Sequence, residues 1–215
     1  MAAPVSLRHL AIICLGWLMV SPAMADPSII PPPAYQLAAH RANVPSAVLY
    51  AIALQESGVQ LRGRRAPWPW TLNVAGQPRR FATREAACAE LRTTLEAQPN
   101  RHIDVGLGQI NVGYHAHRVT HPCDLLDPYQ NLAIAAAILR EQYRQGEDWL
   151  PAIGRYHRPA GGSPAARYRR SVHRHLSRIH GGPAVLATLG RESLETSLAC
   201  TGLAAGNDNP HRLCR

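Results

Sequence analysis

The chain has 215 residues, 46% hydrophobic and 17% charged, with a formal charge of +9 and five cysteines. That length accommodates one domain with a sizeable core, and the composition is ordinary for a globular chain apart from an arginine excess. A basic balance admits nucleic acid, an anionic membrane surface or an acidic wall polymer as partner. Export argues most against nucleic acid among the three.

Arg8 precedes an apolar run, Leu10 to Val20, that is too short to span a bilayer. Ala23-Met24-Ala25 then supplies the small-x-small pattern of a cleavage site. The expectation is a signal peptide over residues 1–25, a mature chain from Asp26 and a periplasmic location. Removing that segment takes away one arginine and no acid, so +9 becomes +8. Cys88, Cys123, Cys200 and Cys214 remain, an even count in an oxidising compartment. Three connectivities are open; the preferred one is Cys88–Cys123 and Cys200–Cys214, the second closing a short tail loop.

In chain order, a proline-rich lead-in over 26–33 gives way to a short predicted helix, Ala34 to Ala42. The next helix spans Val44 to Gly58, with Pro45 in its first turn and Gly58 expected just past its end at positive φ. Val48, Leu49, Ile52 and Ala53 mark its apolar face. The Val48–Ile52 step continues to Glu56, which puts the helix's one acid on the buried side, in the last turn. Burial and the negative end of the helix dipole both raise a carboxyl pKa there.

Leu61 to Arg65 reads as a basic loop. Pro67-Trp68-Pro69-Trp70 offers either a sugar-stacking wall or a small surface core, and it leads into a hairpin turning at Ala75–Pro78. Thr83 caps an amphipathic helix to Gln98, with Ala87, Leu91 and Leu95 as its stripe. Asp104-Val105-Gly106-Leu107-Gly108-Gln109-Ile110-Asn111 follows. Alternation across Ile110 is expected to place the Gln109 and Asn111 amides on one side of an extended segment, suited to hydroxyl and N-acetyl groups. Asp127-Pro128 opens a helix to about Gly146, and Trp149 to Tyr156 a shorter one. In the last predicted helix, Ala165 to His180, Tyr168, Val172, Leu176 and Ile179 form the core stripe, while Arg170, Arg174 and Arg178 form a basic ridge. The remaining residues, 181–215, read as a tail.

Other chemistries lack their marks. The histidines at 115, 117, 121, 173 and 175 include no His-Glu-x-x-His, so no metal is expected. Ser57 sits in no Gly-x-Ser-x-Gly elbow, and no glycine loop cradles a phosphate or cofactor. One helix-end acid, one amide-bearing glycine segment and Tyr156 remain.

In that order these pieces resemble the soluble lytic transglycosylase domain of the lysozyme-like superfamily. The resemblance rests on Glu56-Ser57-Gly58, on Gly106-Leu107-Gly108-Gln109-Ile110-Asn111, on Asn131-Leu132 before an alanine-rich helix, and on Arg155-Tyr156-His157. Trp70-Thr71-Leu72-Asn73-Val74 and Asp104-Val105-Gly106 further resemble the branch associated with secretion, conjugation and pilus machines. The match covers residues 34–160 or so. Gly108 stands where the family has Met, and His157 where it has Asn.

The resemblance implies a mainly α, lysozyme-like domain over 26–180 with a small β-hairpin, acting as a monomer on peptidoglycan glycan strands without cofactor. Glu56 would protonate the glycosidic oxygen between N-acetylmuramic acid and N-acetylglucosamine, then take the proton of the C6 hydroxyl as a 1,6-anhydro ring closes. The substrate's acetamido group would stabilise the cationic centre, so one protein carboxylate suffices where ordinary glycosidases use two. Gly108, Gln109, Asn111 and Tyr156 would bind the sugar, and Ser57 would orient Glu56. Asp104 is the candidate second acid of the runner-up, a muramidase-type hydrolase. A non-catalytic glycan-binding envelope protein, with the same fold and an idle site, is the alternative of another class.

Overall fold

A computed structural model describes residues 28–181. The expected leader over 1–25, the tail beyond Gly181 and the expected Cys200–Cys214 bridge lie outside those residues. Within them the elements are α1 (Pro33–Ala42), α2 (Ser46–Ser57), β1 (Gly58–Leu61), β2 (Arg64–Pro67), β3 (Thr71–Val74), β4 (Gln77–Arg80), α3 (Arg84–Ala97), β5 (Ile103–Val105), β6 (Ile110–Asn111), α4 (Val112–His115), α5 (Pro128–Gln142), α6 (Trp149–His157) and α7 (Gly162–Ile179). This is the mainly α, lysozyme-like architecture expected, with more strand than a single hairpin.

Helix α2 is the hub, packed by α1, α5, α6 and α7. It is not amphipathic: every residue from Val48 to Leu54 is buried. A helix apolar on all sides has to be central, so the one apolar face read from the periodicity understates it. Pro45 sits at the N-cap rather than in the first turn, and its carbonyl accepts from Val48 N at 3.1 Å. Gly58 does not take positive φ; at φ −63° and ψ 131° it begins β1 directly. Glycine is required there for space, because a Cβ would collide with the Leu54 carbonyl and the Arg65 side chain.

The expected basic loop at 61–65 is instead the turn of a β1–β2 hairpin. Arg62 and Gly63 both take positive φ, at 48° and 80°, the pattern of a two-residue hairpin turn matching strand twist. Ala75 and Gly76 repeat it at 50° and 85° between β3 and β4, where a turn was expected.

A four-stranded antiparallel sheet runs in the order β4-β3-β5-β6. Its register aligns Pro78, Asn73, Asp104 and Asn111 in one row. Directly opposed residues share a face, so this row is polar while Leu72, Val74, Ile103, Val105 and Ile110 bury the other face. Trp68 and Trp70 meet edge to face at 5.7 Å, Trp68 Nε1 donates to Phe81 O at 2.8 Å, and Trp70 packs on the core. They form a small surface core, not a sugar wall.

Capping residues set the remaining boundaries. Thr83 Oγ1 accepts from Ala86 N, Asp127 Oδ1 from Gln130 N and Asp148 Oδ1 from Leu150 N. The Cys88–Cys123 disulfide forms as preferred, with Cα atoms 5.3 Å apart, tying α3 to the 3₁₀ turn Pro122–Leu126.

Candidate active site

The polar row of the sheet, the end of α2 and the end of α6 enclose a cleft of about 940 Å³. Glu56, Asn73, Asp104, Gln109, Asn111 and Tyr156 line it. Residues far apart in sequence therefore share one wall, because the sheet register and the α2 hub place them there.

Glu56 sits in the last turn of α2, partly buried, and its Oε1 accepts a hydrogen bond from Tyr168 Oη at 2.5 Å. Its pKa is pushed up to about 7. Burial is the largest cause; the Tyr168 hydroxyl opposes it by favouring the carboxylate, and the nearby Asp104 adds to it. An acid with that pKa is about half protonated at neutral pH, so it can give a proton and take one back.

Asp104 lies in β5, flanked by two amides. Asn73 Nδ2 donates to its Oδ2 at 3.1 Å and Asn111 Nδ2 to its Oδ1 at 2.8 Å. Burial pushes its pKa up while both amides pull it down. Each carboxylate oxygen thus holds an amide, which braces Asp104 and pins Asn111 against β5.

The glycine segment is not extended. Residues 106–109 make a tight turn in which Gln109 N donates to Gly106 O at 3.2 Å. Gly106 takes φ 80° and Gln109 φ 47°, a left-handed conformation uncommon for a residue with a side chain. Gln109 Nε2 donates to the Gly106 carbonyl at 2.9 Å and to Thr71 O at 3.3 Å, which holds that conformation. Asn111 caps α4 by accepting from Tyr114 N. The two amides line one cleft, as expected, but through a turn and a cap rather than through strand alternation.

Asn131 anchors the turn from α5. Its Oδ1 accepts from Gly108 N at 2.8 Å, and its Nδ2 donates to Val105 O at 2.9 Å and Leu125 O at 2.8 Å. Tyr156 Oη donates to Gly108 O at 2.7 Å. Gly108 is therefore gripped at both backbone atoms and buried, and it supports the site without facing the cleft. A Cβ on it would stand 2.7 Å from Ala135 Cβ and 2.9 Å from Tyr156 Oη, so glycine fits the position and a larger residue does not.

Ser57 is fully buried, its hydroxyl donating to Ala53 O at 3.1 Å and Leu107 O at 2.9 Å. It does not touch the cleft and makes no bond to Glu56; it fastens the end of α2 to the glycine turn, and so positions Glu56 through the backbone. His157, in place of the family's Asn, lines the cleft and stacks on Tyr168 at 4.5 Å between ring centres and 5° between planes. Burial lowers its pKa, against the pull of Asp104.

Two contributors were absent from the candidate residues. Tyr168 read as one member of a core stripe, yet its hydroxyl is what holds Glu56. The available signal was a tyrosine within an otherwise apolar stripe, whose hydroxyl needs a partner once buried. Asn131 marked a resemblance without a role, and its three bonds now supply one.

A protonatable carboxyl held by a tyrosine, with Asp104 in the same wall, thus lines a polar cleft on a mainly α, lysozyme-like scaffold. Residues 33–178 match the Transglycosylase SLT domain, and the chain belongs to that family. Membership implies lytic transglycosylase activity on peptidoglycan. No curated protein and no solved structure matches the chain.

Proposed function

We propose that this protein cleaves the β-1,4 bond between N-acetylmuramic acid and N-acetylglucosamine in peptidoglycan and leaves a 1,6-anhydromuramyl end, with Glu56 as both acid and base. Protonated Glu56 gives its proton to the glycosidic oxygen as the C1–O bond breaks. The substrate's acetamido oxygen closes on C1 and carries the positive charge. Carboxylate Glu56 then removes the C6 hydroxyl proton as O6 displaces the acetamido oxygen, and no water is consumed. Gln109, Asn111 and Tyr156 would hold the sugar against the wall where Glu56 lies.

The observation that carries this reading is the Glu56 carboxyl, raised to about 7 inside the cleft while bonded to Tyr168. A group poised between its two forms suits a mechanism that uses both. The test is digestion of purified sacculi in ¹⁸O-labelled water followed by mass spectrometry. Anhydro ends carry no label under this reading. Labelled reducing ends would favour the hydrolase, for which Asp104 is the second acid because it lines the same cleft and acts on Glu56. Sacculi that stay uncleared and release no products, while the protein co-sediments with them, would favour the non-catalytic binder.

The leader-like segment at 1–25 supports a periplasmic site of action. The Trp70–Val74 and Asp104–Gly106 stretches, which form β3 and lead into the glycine turn, support service to an envelope-spanning machine that needs the wall opened locally.

A further inference from the structure

The outer face of α7 has no part in the cleft. Arg167, Arg170, Arg174 and Arg178 follow one another at spacings of three, four and four, which places them in a single stripe about 16 Å long at 1.5 Å per residue. All four are exposed. The opposite side of the same helix buries Tyr168, Val172, His175, Leu176 and Ile179.

Among the described residues no acidic side chain pairs with this stripe. From Trp149 to Arg191 the sequence contains no acidic residue. Among the described residues the ion pairs are Arg79–Glu90, Arg118–Glu141 and Arg155–Glu147, none of them on α7. Among the described residues the side-chain bonds of these four arginines go to hydroxyls, Arg167 to Ser163 and Arg174 to Ser171. The field is felt inside the helix: buried His175 is pushed down to about 4, by burial first and then by Arg65, Arg178 and Arg174.

An apolar element adjoins the stripe. Ile29 N donates to Ile179 O at 2.6 Å, fixing the N-terminal segment to the C-terminal end of α7. Ile29 is 47% exposed and Ile30 79% exposed, so two aliphatic side chains stand in solvent beside Arg178.

We propose that this face docks on an anionic phospholipid surface, the guanidinium stripe on the lipid phosphates and Ile29–Ile30 in the headgroup–acyl boundary. Guanidinium groups pair with phosphate oxygens through two parallel N–H donors. Cationic side chains flanked by exposed aliphatics are the make-up of an interfacial anchor. A protein partner would need a packed apolar or aromatic centre to the patch, and the stripe carries none: no large hydrophobic residue of α7 is exposed. Because Tyr168, which holds Glu56, is on the inner side of the same helix, docking would set the cleft about one helix diameter, roughly 10 Å, from the lipid.

The test is co-sedimentation of the protein, as the cell processes it, with phosphatidylglycerol/phosphatidylcholine vesicles and with pure phosphatidylcholine vesicles. Binding is expected to the first only and to be released by high salt. Each juxtamembrane arginine contributes about fivefold in affinity, so Arg170→Ser/Arg174→Ser/Arg178→Ser should weaken binding about a hundredfold, with unchanged melting and unchanged cleavage of sacculi. Absent binding to anionic vesicles, equal binding to both kinds, or a triple variant that binds as the wild type does would each overturn the proposal. So would association with sacculi or an acidic protein in place of vesicles. Loss of sacculus cleavage in the wild type would strike the enzymatic reading alone, since vesicle binding is read without it.

Discussion

Replacing Glu56 by Gln should make the protein more stable at alkaline pH and leave it unchanged at acid pH. The carboxyl has an ordinary value of 4.5 and about 7 in the folded protein. A group whose folded pKa is raised contributes fully below its unfolded pKa and loses that contribution as pH climbs through the folded value. Ionised Glu56 therefore opposes folding above pH 7, by about 3 kcal/mol for a shift of this size. Gln keeps the shape and an acceptor oxygen for Tyr168, so the variant removes the charge with little else. Urea unfolding at pH 4 and at pH 9 measures it. The expected result is equal stabilities at pH 4 and a variant about 3 kcal/mol more stable at pH 9. A difference independent of pH would refute the reasoning, because it would mean that Glu56 titrates as an ordinary solvated carboxyl.

Three further outcomes concern its supports. Tyr168→Phe removes a hydroxyl that favours the carboxylate, so the Glu56 pKa should rise by about one unit or more; the alkaline limb of the pH–rate profile then moves to higher pH while the plateau falls. Gly108→Ala drives a Cβ against Ala135 and the Tyr156 hydroxyl, which should cost about 1–3 kcal/mol in denaturant unfolding and lower the cleavage rate by displacing Tyr156. Asn131→Ala leaves Gly108 N, Val105 O and Leu125 O without their buried partner, at about 3–5 kcal/mol of stability by thermal unfolding.

How far the sequence carried can be judged residue by residue. Helix ends marked by a local cap were legible: Thr83, Asp127-Pro128 and the Ala75–Gly76 turn act within a few residues of themselves, and the structure places their elements where expected. Cys88–Cys123 was one of three open pairings and needed the packing of α3 to settle it. The glycine turn was misread as extended because the left-handed φ of Gln109 is held by Thr71, 38 residues away, and by its own Gly106 contact. Asn131 and Tyr168 were opaque for the same reason: their partners lie 23 and 112 residues distant. The central burial of α2 was understated because periodicity reports one face, and a helix packed on every side has no preferred one. The position of Glu56 on a buried face was legible, since a step of four along α2 is a local property.

The most direct test of the central claim is mass spectrometry of muropeptides released from purified sacculi by the wild-type protein and by Glu56→Gln, each checked for folding. The account predicts anhydromuramyl products from the wild type and none from the variant. Release of the same products by a folded Glu56→Gln protein would contradict it.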